Sequence, residues 1–378
     1  MTAPAVVGNL GPMNAPVRRP GPARSLIGLS LATACAMVAS TTASAFGDGW
    51  ASPTRISSAT VAVSHDMVTD ASGYVHIASD RGSGGVWYIS NAGGAWTECQ
   101  VSEGDDRRPS IALEGGTVHI AFARVTDGQQ GIYTASSDQP ATGVGCGWPV
   151  TLRHAGSASY PSMQVRGGVL SIAFRTGDKK LRFTKGPANA AAWTVGEVID
   201  RSCCTSPVAL ALTHAGAPRV AYGDGGSRAQ GLRFAVRTKA GWRTSKAHGG
   251  RVKQVAMVLN QLPGLFGQPP SNAPSIAFVA ARQGAYLATK GNDGPGGAWG
   301  KRFLGKAFGL LDLTNSSNVT YIVLAKNGDL DYTRGSGGIW WGGKLSGSGK
   351  DGQPQLSGGQ LTFTRKGARS GIYHTRGS

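Results

Sequence analysis

Seven tryptophans constrain this chain more than any other feature. Trp50, Trp96, Trp148, Trp193, Trp242, Trp299 and Trp341 recur at intervals of 42 to 57 residues. That period is too long for a heptad and too irregular for a fibrous repeat, and it suits one supersecondary unit per tryptophan. Two units show the contents. Arg108-Pro109-Ser110-Ile111-Ala112-Leu113 is followed by Gly115-Gly116, Val118 to Phe122, Gly131-Ile132-Tyr133-Thr134 and Trp148. Tyr160-Pro161-Ser162-Met163 is followed by Gly167-Gly168, Ser171 to Phe174, Leu181 to Thr184 and Trp193. Short alternating strands split by turn residues predict a four-stranded antiparallel unit, with strands a to d.

Composition agrees. The chain has 58 Gly and 19 Pro, with 15% charged and 40% hydrophobic residues. Disorder and a helical bundle are both excluded, and no G-x-y period accompanies the glycine. Units of this length in a series predict an all-β, seven-bladed β-propeller. The ends support closure. The last unit stops after Gly371 to Thr375, while Trp50 and Pro53 to Ser57 form a fourth strand lacking its first three. The N-terminal strand should therefore pair into the last blade and remove the open edges.

Residues 1–45 are read as a secretion signal. Arg18, Arg19 and Arg24 precede an apolar stretch from Leu26 to Ser40 that ends in Ala43-Ser44-Ala45. A basic region, an apolar core and an A-x-A site predict cleavage after Ala45 and an extracellular or periplasmic protein. The apolar run is too short to span a bilayer, so no membrane span is expected. Residues 46–378 then form a single propeller domain, expected to be a monomer. The whole chain carries +18, and removing three arginines leaves +15. Four cysteines remain, Cys99, Cys146, Cys203 and Cys204, and an exported chain directs them toward disulfides.

The segment Asn91-Ala92-Gly93-Gly94-Ala95-Trp96 resembles a degenerate Asp-box, the S-x-D-x-G-x-x-W turn of bacterial-neuraminidase-repeat, sialidase-like propellers. Gly297-Ala298-Trp299 and Ala240-Gly241-Trp242 resemble it more distantly. The resemblance covers nearly all of residues 46–378. Asn91 stands where the family has Asp, and the F-R-I-P segment of true sialidases is absent.

On a propeller, the d–a and b–c loops share the upper face, and the a–b and c–d turns share the lower. The position just before strand a, at the mouth of the central channel, is occupied by His65, Arg108 and Tyr160, then Ser206, Gln254 and Gln353. It varies in residue type but stays polar, as ligand-contacting positions do; short polar caps on a solvent-filled channel would look similar. Just past strand b stand Arg81, Arg124, Arg175, Arg282, Lys326 and Arg365, with Asp224 breaking the series in the fourth blade. Together with Arg108 they predict a cationic upper face that attracts an acidic polysaccharide or cell-wall polymer through bidentate arginine contacts. No base-reading motif is present, so no specific nucleic-acid partner is expected.

Catalytic resources are thin. Glu98, Glu103, Glu114 and Glu197 are the only glutamates, and none falls near the mouth to act in a glycosidase or to activate Tyr160 as a sialidase would require. A polysaccharide lyase is better supplied: His65 or Tyr160 as base, with arginine neutralising the uronate carboxylate. His65 is otherwise a surface histidine beside Asp66. His76 and His119 hold one strand-b position in successive blades and read as packing residues. No metal-ligand spacing and no cofactor motif occur. The face assignment favours a Cys99–Cys146 disulfide toward the lower face and a vicinal Cys203–Cys204 bridge beside the mouth. Gln261 to Asn272 should interrupt the a–b turn of the fifth blade, where Leu262, Leu265 and Phe266 would plug the channel or touch a protein partner.

Overall fold

The computed structural model describes residues 50–377, except 58–62, 139–144, 191–192, 194–195, 204–206, 225–229, 263–270, 292–293, 295, 307–310, 317–318, 337–338 and 368. Residues 1–45, read from the sequence as a secretion signal, and Cys204, Ser206, Leu265 and Phe266 lie outside the described residues.

Blade 2 shows how the sequence makes its sheet. Strand a, Asp106–Glu114, turns through Gly115 and Gly116 into strand b, Thr117–Arg124. Both glycines take positive φ, 58° and 85°, the left-handed pair that matches a tight hairpin to strand twist. Strand c, Gly131–Ser137, and strand d, Val150–Ala155, complete the antiparallel order. Strand b is buried along its interior because it is central in its sheet and has a neighbouring blade on each face. The other blades cover residues 64–100, 158–200, 208–249, 252–305 and 311–344, and each is a four-stranded sheet. Blade 7 takes strands from residues 351–376 and its fourth strand, Thr54–Arg55, from the N-terminal side. Thr54 pairs with His374, Arg55 with Tyr373, and Trp50 bridges Gly377, so the fold is a seven-bladed propeller closed as expected.

Seven apolar clusters fill the seven seams. The seam between blades 1 and 2, for example, packs Tyr88 and Val101 against Ile111, Phe122 and Trp148. Each innermost strand still has a free edge whose N–H groups need acceptors. In five seams a side chain from the preceding blade supplies one, Ser357 Oγ accepting from Thr69 N at 3.0 Å between blades 7 and 1. Asp66 Oδ2 accepts from Ile111 N at 2.9 Å and from Ser110 Oγ at 3.0 Å. Ser110 Oγ accepts from Met163 N at 3.1 Å, Ser162 Oγ from Leu210 N at 3.0 Å, and Asp312 Oδ2 from Leu356 N at 2.6 Å. Burial raises Asp66 above the usual carboxylate range and pushes Asp312 up to about 7. The equivalent residues in blades 4 and 5 are Ala209 and Ala256, which accept nothing.

Three sequence expectations are refined here. His65 is no surface histidine: it is only 5% exposed, with Nε2 3.0 Å from Thr362 Oγ1 of blade 7, because the seam closes over it. The fifth-blade interruption is narrower than Gln261 to Asn272, since the a–b ladder continues through the pairs Gln261–Asn272 and Leu262–Ser271. The Cys99–Cys146 disulfide is present, tying the outer strand of blade 1 to the c–d loop of blade 2. Cys203 is buried and disulfide-bonded, and the residue expected to pair with it, Cys204, lies outside the described residues. A disulfide of this kind persists in oxidising compartments and hints at an extracellular or periplasmic location. Among the described residues no helix is long and apolar enough to cross a membrane.

Candidate functional site

The upper-face entrance of the innermost strands holds a pocket of about 580 Å³. Six of the seven blades contribute to its wall, and His65, Arg108, Tyr160, Gln254 and Gln353 all line it. Five of the six positions read from the sequence as the channel mouth are thus brought together; the sixth, Ser206, is outside the described residues.

A bulge aims three of these side chains. In blade 2 the register jumps from Arg107–Ala123 to Ser110–Ala121, leaving Arg108-Pro109 opposite a single residue. Tyr160-Pro161 and Gln353-Pro354 are inserted in the same way in blades 3 and 7. Proline fits here because a bulge needs no ladder donor. Arg108, Tyr160 and Gln353 adopt φ of 54°, 54° and 47°, a left-handed conformation rare for residues with side chains and rarer before proline. Backbone of this kind persists only where neighbours over-determine it. For Arg108 the neighbour is Asp80, buried beneath the pocket. Asp80 Oδ2 accepts from Arg108 N at 3.1 Å and from Ser64 Oγ at 3.2 Å, while Oδ1 accepts from Gly82 N at 2.7 Å.

The Arg108 guanidinium carbon sits over the Tyr160 ring, 3.6 Å from its centroid. Among the described residues no carboxylate pairs with it. Its charge is therefore offered to the pocket, with the ring beneath it. Around it are uncommitted polar atoms: His65 Nδ1 and Gln353 Oε1 are buried without a hydrogen-bond partner. The other polar end of Gln353 donates to Val63 O. Burial lowers the His65 imidazole to about 4, so it is neutral at physiological pH and a weak base.

The remaining predicted cations are dispersed rather than gathered. Arg81 is 11% exposed in its side chain, stacks on Trp87 and meets Glu98 at 2.5 Å. Arg124 makes a bidentate pair with Asp106 at 2.8 and 2.7 Å, and Arg365 does the same with Asp351 at 2.6 and 2.9 Å. Those carboxylates raise both guanidinium pKa values. Desolvated arginines at the end of strand b need such partners. Asp106 and Arg124, like Asp351 and Arg365, are direct cross-strand neighbours once the a–b register is set. In blade 4 Asp224 replaces the cation of the series and pairs with Arg233 at 3.1 Å. Arg175 is half-buried on strand b of blade 3, and Arg282 and Lys326 are exposed. Of the seven, only Arg108 lines the axial pocket.

His76 and His119 are buried packing residues, with Nδ1 2.6 Å from Tyr88 Oη and 2.7 Å from Ser136 Oγ respectively. Glu98, Glu114 and Glu197 are all committed away from the mouth. Glu114 accepts from Gly167 N and Gly168 N in the next blade, and Glu197 pairs with Arg237.

No protein-family model matches the chain, and no curated protein sequence matches it. Solved structures do. The SapL1 lectin in complex with alpha methyl fucoside aligns with a TM-score of 0.52 at 13% identity, over 76% of this chain and 97% of the lectin. The polysaccharide lyase Uly1 aligns with a TM-score of 0.55 at 12% identity, over 84% of this chain and 90% of the lyase. A mutant of Trypanosoma rangeli sialidase displaying trans-sialidase activity aligns at 0.47 and 9% identity, over 88% of this chain and 60% of that one, too loosely to argue from. At these identities the likeness is one of fold.

Proposed function

We propose that this is an exported carbohydrate-binding propeller, cleaved after Ala45, that takes an acidic glycan in the axial pocket. The observation that carries the reading is the unpaired Arg108 guanidinium held on Tyr160, each residue set by a proline bulge of its own blade. A planar fork fixed on an aromatic ring suits a carboxylate, and the ring beside it suits a sugar face. His65 Nδ1 and Gln353 Oε1 supply unsatisfied polar atoms that hydroxyl groups can meet. A carbohydrate-related role is also in keeping with the lectin and lyase among the similar folds. The turn at Asn91, where Gly94 N donates to Asn91 O at 2.9 Å ahead of Trp96, supports the resemblance to a worn Asp-box.

The test is retention in native gels cast with acidic or neutral polysaccharides. Retardation confined to acidic gels supports the reading. Arg108→Ala should weaken binding about ten- to a hundredfold, the worth of one charge-assisted contact. Equal mobility in every gel sinks it.

A polysaccharide lyase is the second reading, favoured by a phenol in direct contact with the cation that would neutralise a uronate. There the Tyr160 oxygen takes the α-proton as the glycosidic oxygen leaves the β-carbon and a C=C bond forms, because His65 is too weak a base and shares its Nε2 with Thr362. New absorbance from unsaturated uronate ends, lost in Tyr160→Phe while gel retention survives, would establish it.

A further inference from the structure

A second pocket lies on the same face, in the seam between blades 2 and 3. Its volume is about 310 Å³, and it is lined by His154 at the end of strand d and Ser157 in the d–a loop of blade 2. Thr176, Gly177 and Asp178 of the b–c hairpin and Arg182 of strand c line it from blade 3. The d–a and b–c loops both open on the upper face, as the axial pocket does.

The geometry points to this seam pocket as a further subsite for the same glycan chain, taking a second acidic sugar outward from the mouth. This rests on the axial-pocket reading above. Four observations carry it. First, Arg182 is fixed but not neutralised: its Nη1 donates to Gly196 O at 2.9 Å, and no carboxylate pairs with it among the described residues. Second, the nearby acid is otherwise engaged, since Asp178 accepts from Thr176 Oγ1 at 2.5 Å and meets Lys180 Nζ at 2.7 Å. Third, the His154 ring is seated on Phe174 with centroids 4.7 Å apart, and burial with the adjacent Arg182 charge lowers its pKa, leaving a neutral wall. Fourth, Gly177 makes room for the Ser157 hydroxyl: a Cβ there would meet Ser157 Oγ at 2.8 Å.

The two pockets are joined by one short run of chain. Ser157 lines the seam pocket and Tyr160 the mouth, three residues apart at the entry of strand a, Ala158–Arg166. Extended backbone covers that in about 10 Å, within the span of a short oligosaccharide. Arg175 pairs across the sheet with Ser159, between the two. Arg108 and Arg182 therefore mark a track from the axis toward the rim, whereas Arg175 shares the opposite face of blade 3 with Ala173 and Leu181 and stands off it. Linked contacts of this kind raise affinity with chain length until the track is filled.

The probes are galacturonic acid and its oligomers of increasing length, titrated calorimetrically into the intact mature protein. Affinity should climb from monomer to short oligomer and then level off. Arg182→Gln should leave the monomer unchanged and cut the gain of the longer oligomers at least fivefold. Ser157→Asp, in an exposed loop, should do the same by repelling the carboxylate. Arg108→Ala should weaken every length alike. A chain-length gain untouched by both Arg182→Gln and Ser157→Asp would overturn the subsite and leave the axial reading standing. Absence of binding at every length would overturn both.

Discussion

The seams between blades 1, 2, 3 and 4 differ from those between blades 4, 5 and 6 at a single repeated position. In the first set Asp66, Ser110 and Ser162 reach across to the next innermost strand and accept from its backbone. In the second, alanine stands there, and the seams are closed by side-chain packing such as Phe278 with Val255, Phe234 and Leu232. Both solutions close the ring. The difference teaches that a propeller needs each seam filled but does not need each free edge bonded by the neighbouring blade. The polar seams are also the ones that flank the proposed track, where backbone position matters for aiming Arg108 and Tyr160.

The apolar side of this comparison should break hardest. Phe278→Ala removes a fully buried ring from the seam between blades 4 and 5, and chemical denaturation should show a loss of about 4 kcal/mol. On the polar side, Asp66→Ala orphans Ile111 N, Met67 N and the Ser110 hydroxyl together. The expected loss is about 3 kcal/mol by the same measurement. A smaller loss in Asp66→Ala than in an exposed-site control would mean that the clasp is decorative.

Charge distinguishes the two aspartate clasps from the serine ones through pH. The folded-state pKa of Asp312 is raised to about 7 from the ordinary aspartate value of 3.8, so the folded protein holds the extra proton between those values. Its contribution is therefore most favourable below pH 4 and is lost as pH rises through 7. Asp312→Asn keeps an acceptor for Leu356 N and should stabilise the protein by about 2 kcal/mol at pH 8, the advantage vanishing by pH 4. His65 acts oppositely. Its folded pKa of about 4 lies below the ordinary histidine value of 6.5, so its contribution is full above pH 6.5 and is lost as pH falls toward 4. Thermal melts across pH 4 to 8 on the parent and Asp312→Asn proteins separate the two slopes. The smallest effect sharpens the comparison instead of breaking it: Ala256→Ser should install the missing clasp between blades 5 and 6 and add at most about 1 kcal/mol in denaturant.

Much of the fold was legible because a propeller repeats its information. Tryptophan spacing, the Gly115-Gly116 and Gly167-Gly168 turns and the split last blade are local signals, each tied to backbone geometry or to a strand period. The mouth was legible for a related reason: one register position recurs in six of the blades, so His65, Arg108, Tyr160, Gln254 and Gln353 could be gathered from the sequence. The Cys99–Cys146 pairing followed from the faces on which those residues had to fall.

Three matters were decided only in three dimensions. Which arginines are neutralised depends on carboxylates that approach across strands: Arg124 is spent on Asp106, Arg81 on Glu98 and Arg365 on Asp351, whereas Arg108 escapes because its bulge turns it onto Tyr160. His65 owes its low pKa to burial in the seam that closes against blade 7, where Thr362, 297 residues away in sequence, partly offsets the drop by its hydrogen bond. The seam pocket joins side chains from two blades and has no contiguous motif. Periodicity along a chain determines which elements form and in what order, because that is settled by local backbone preference and alternating burial. Charge pairing, desolvation and cavity shape depend on distances between elements, and those exist only once the ring has closed.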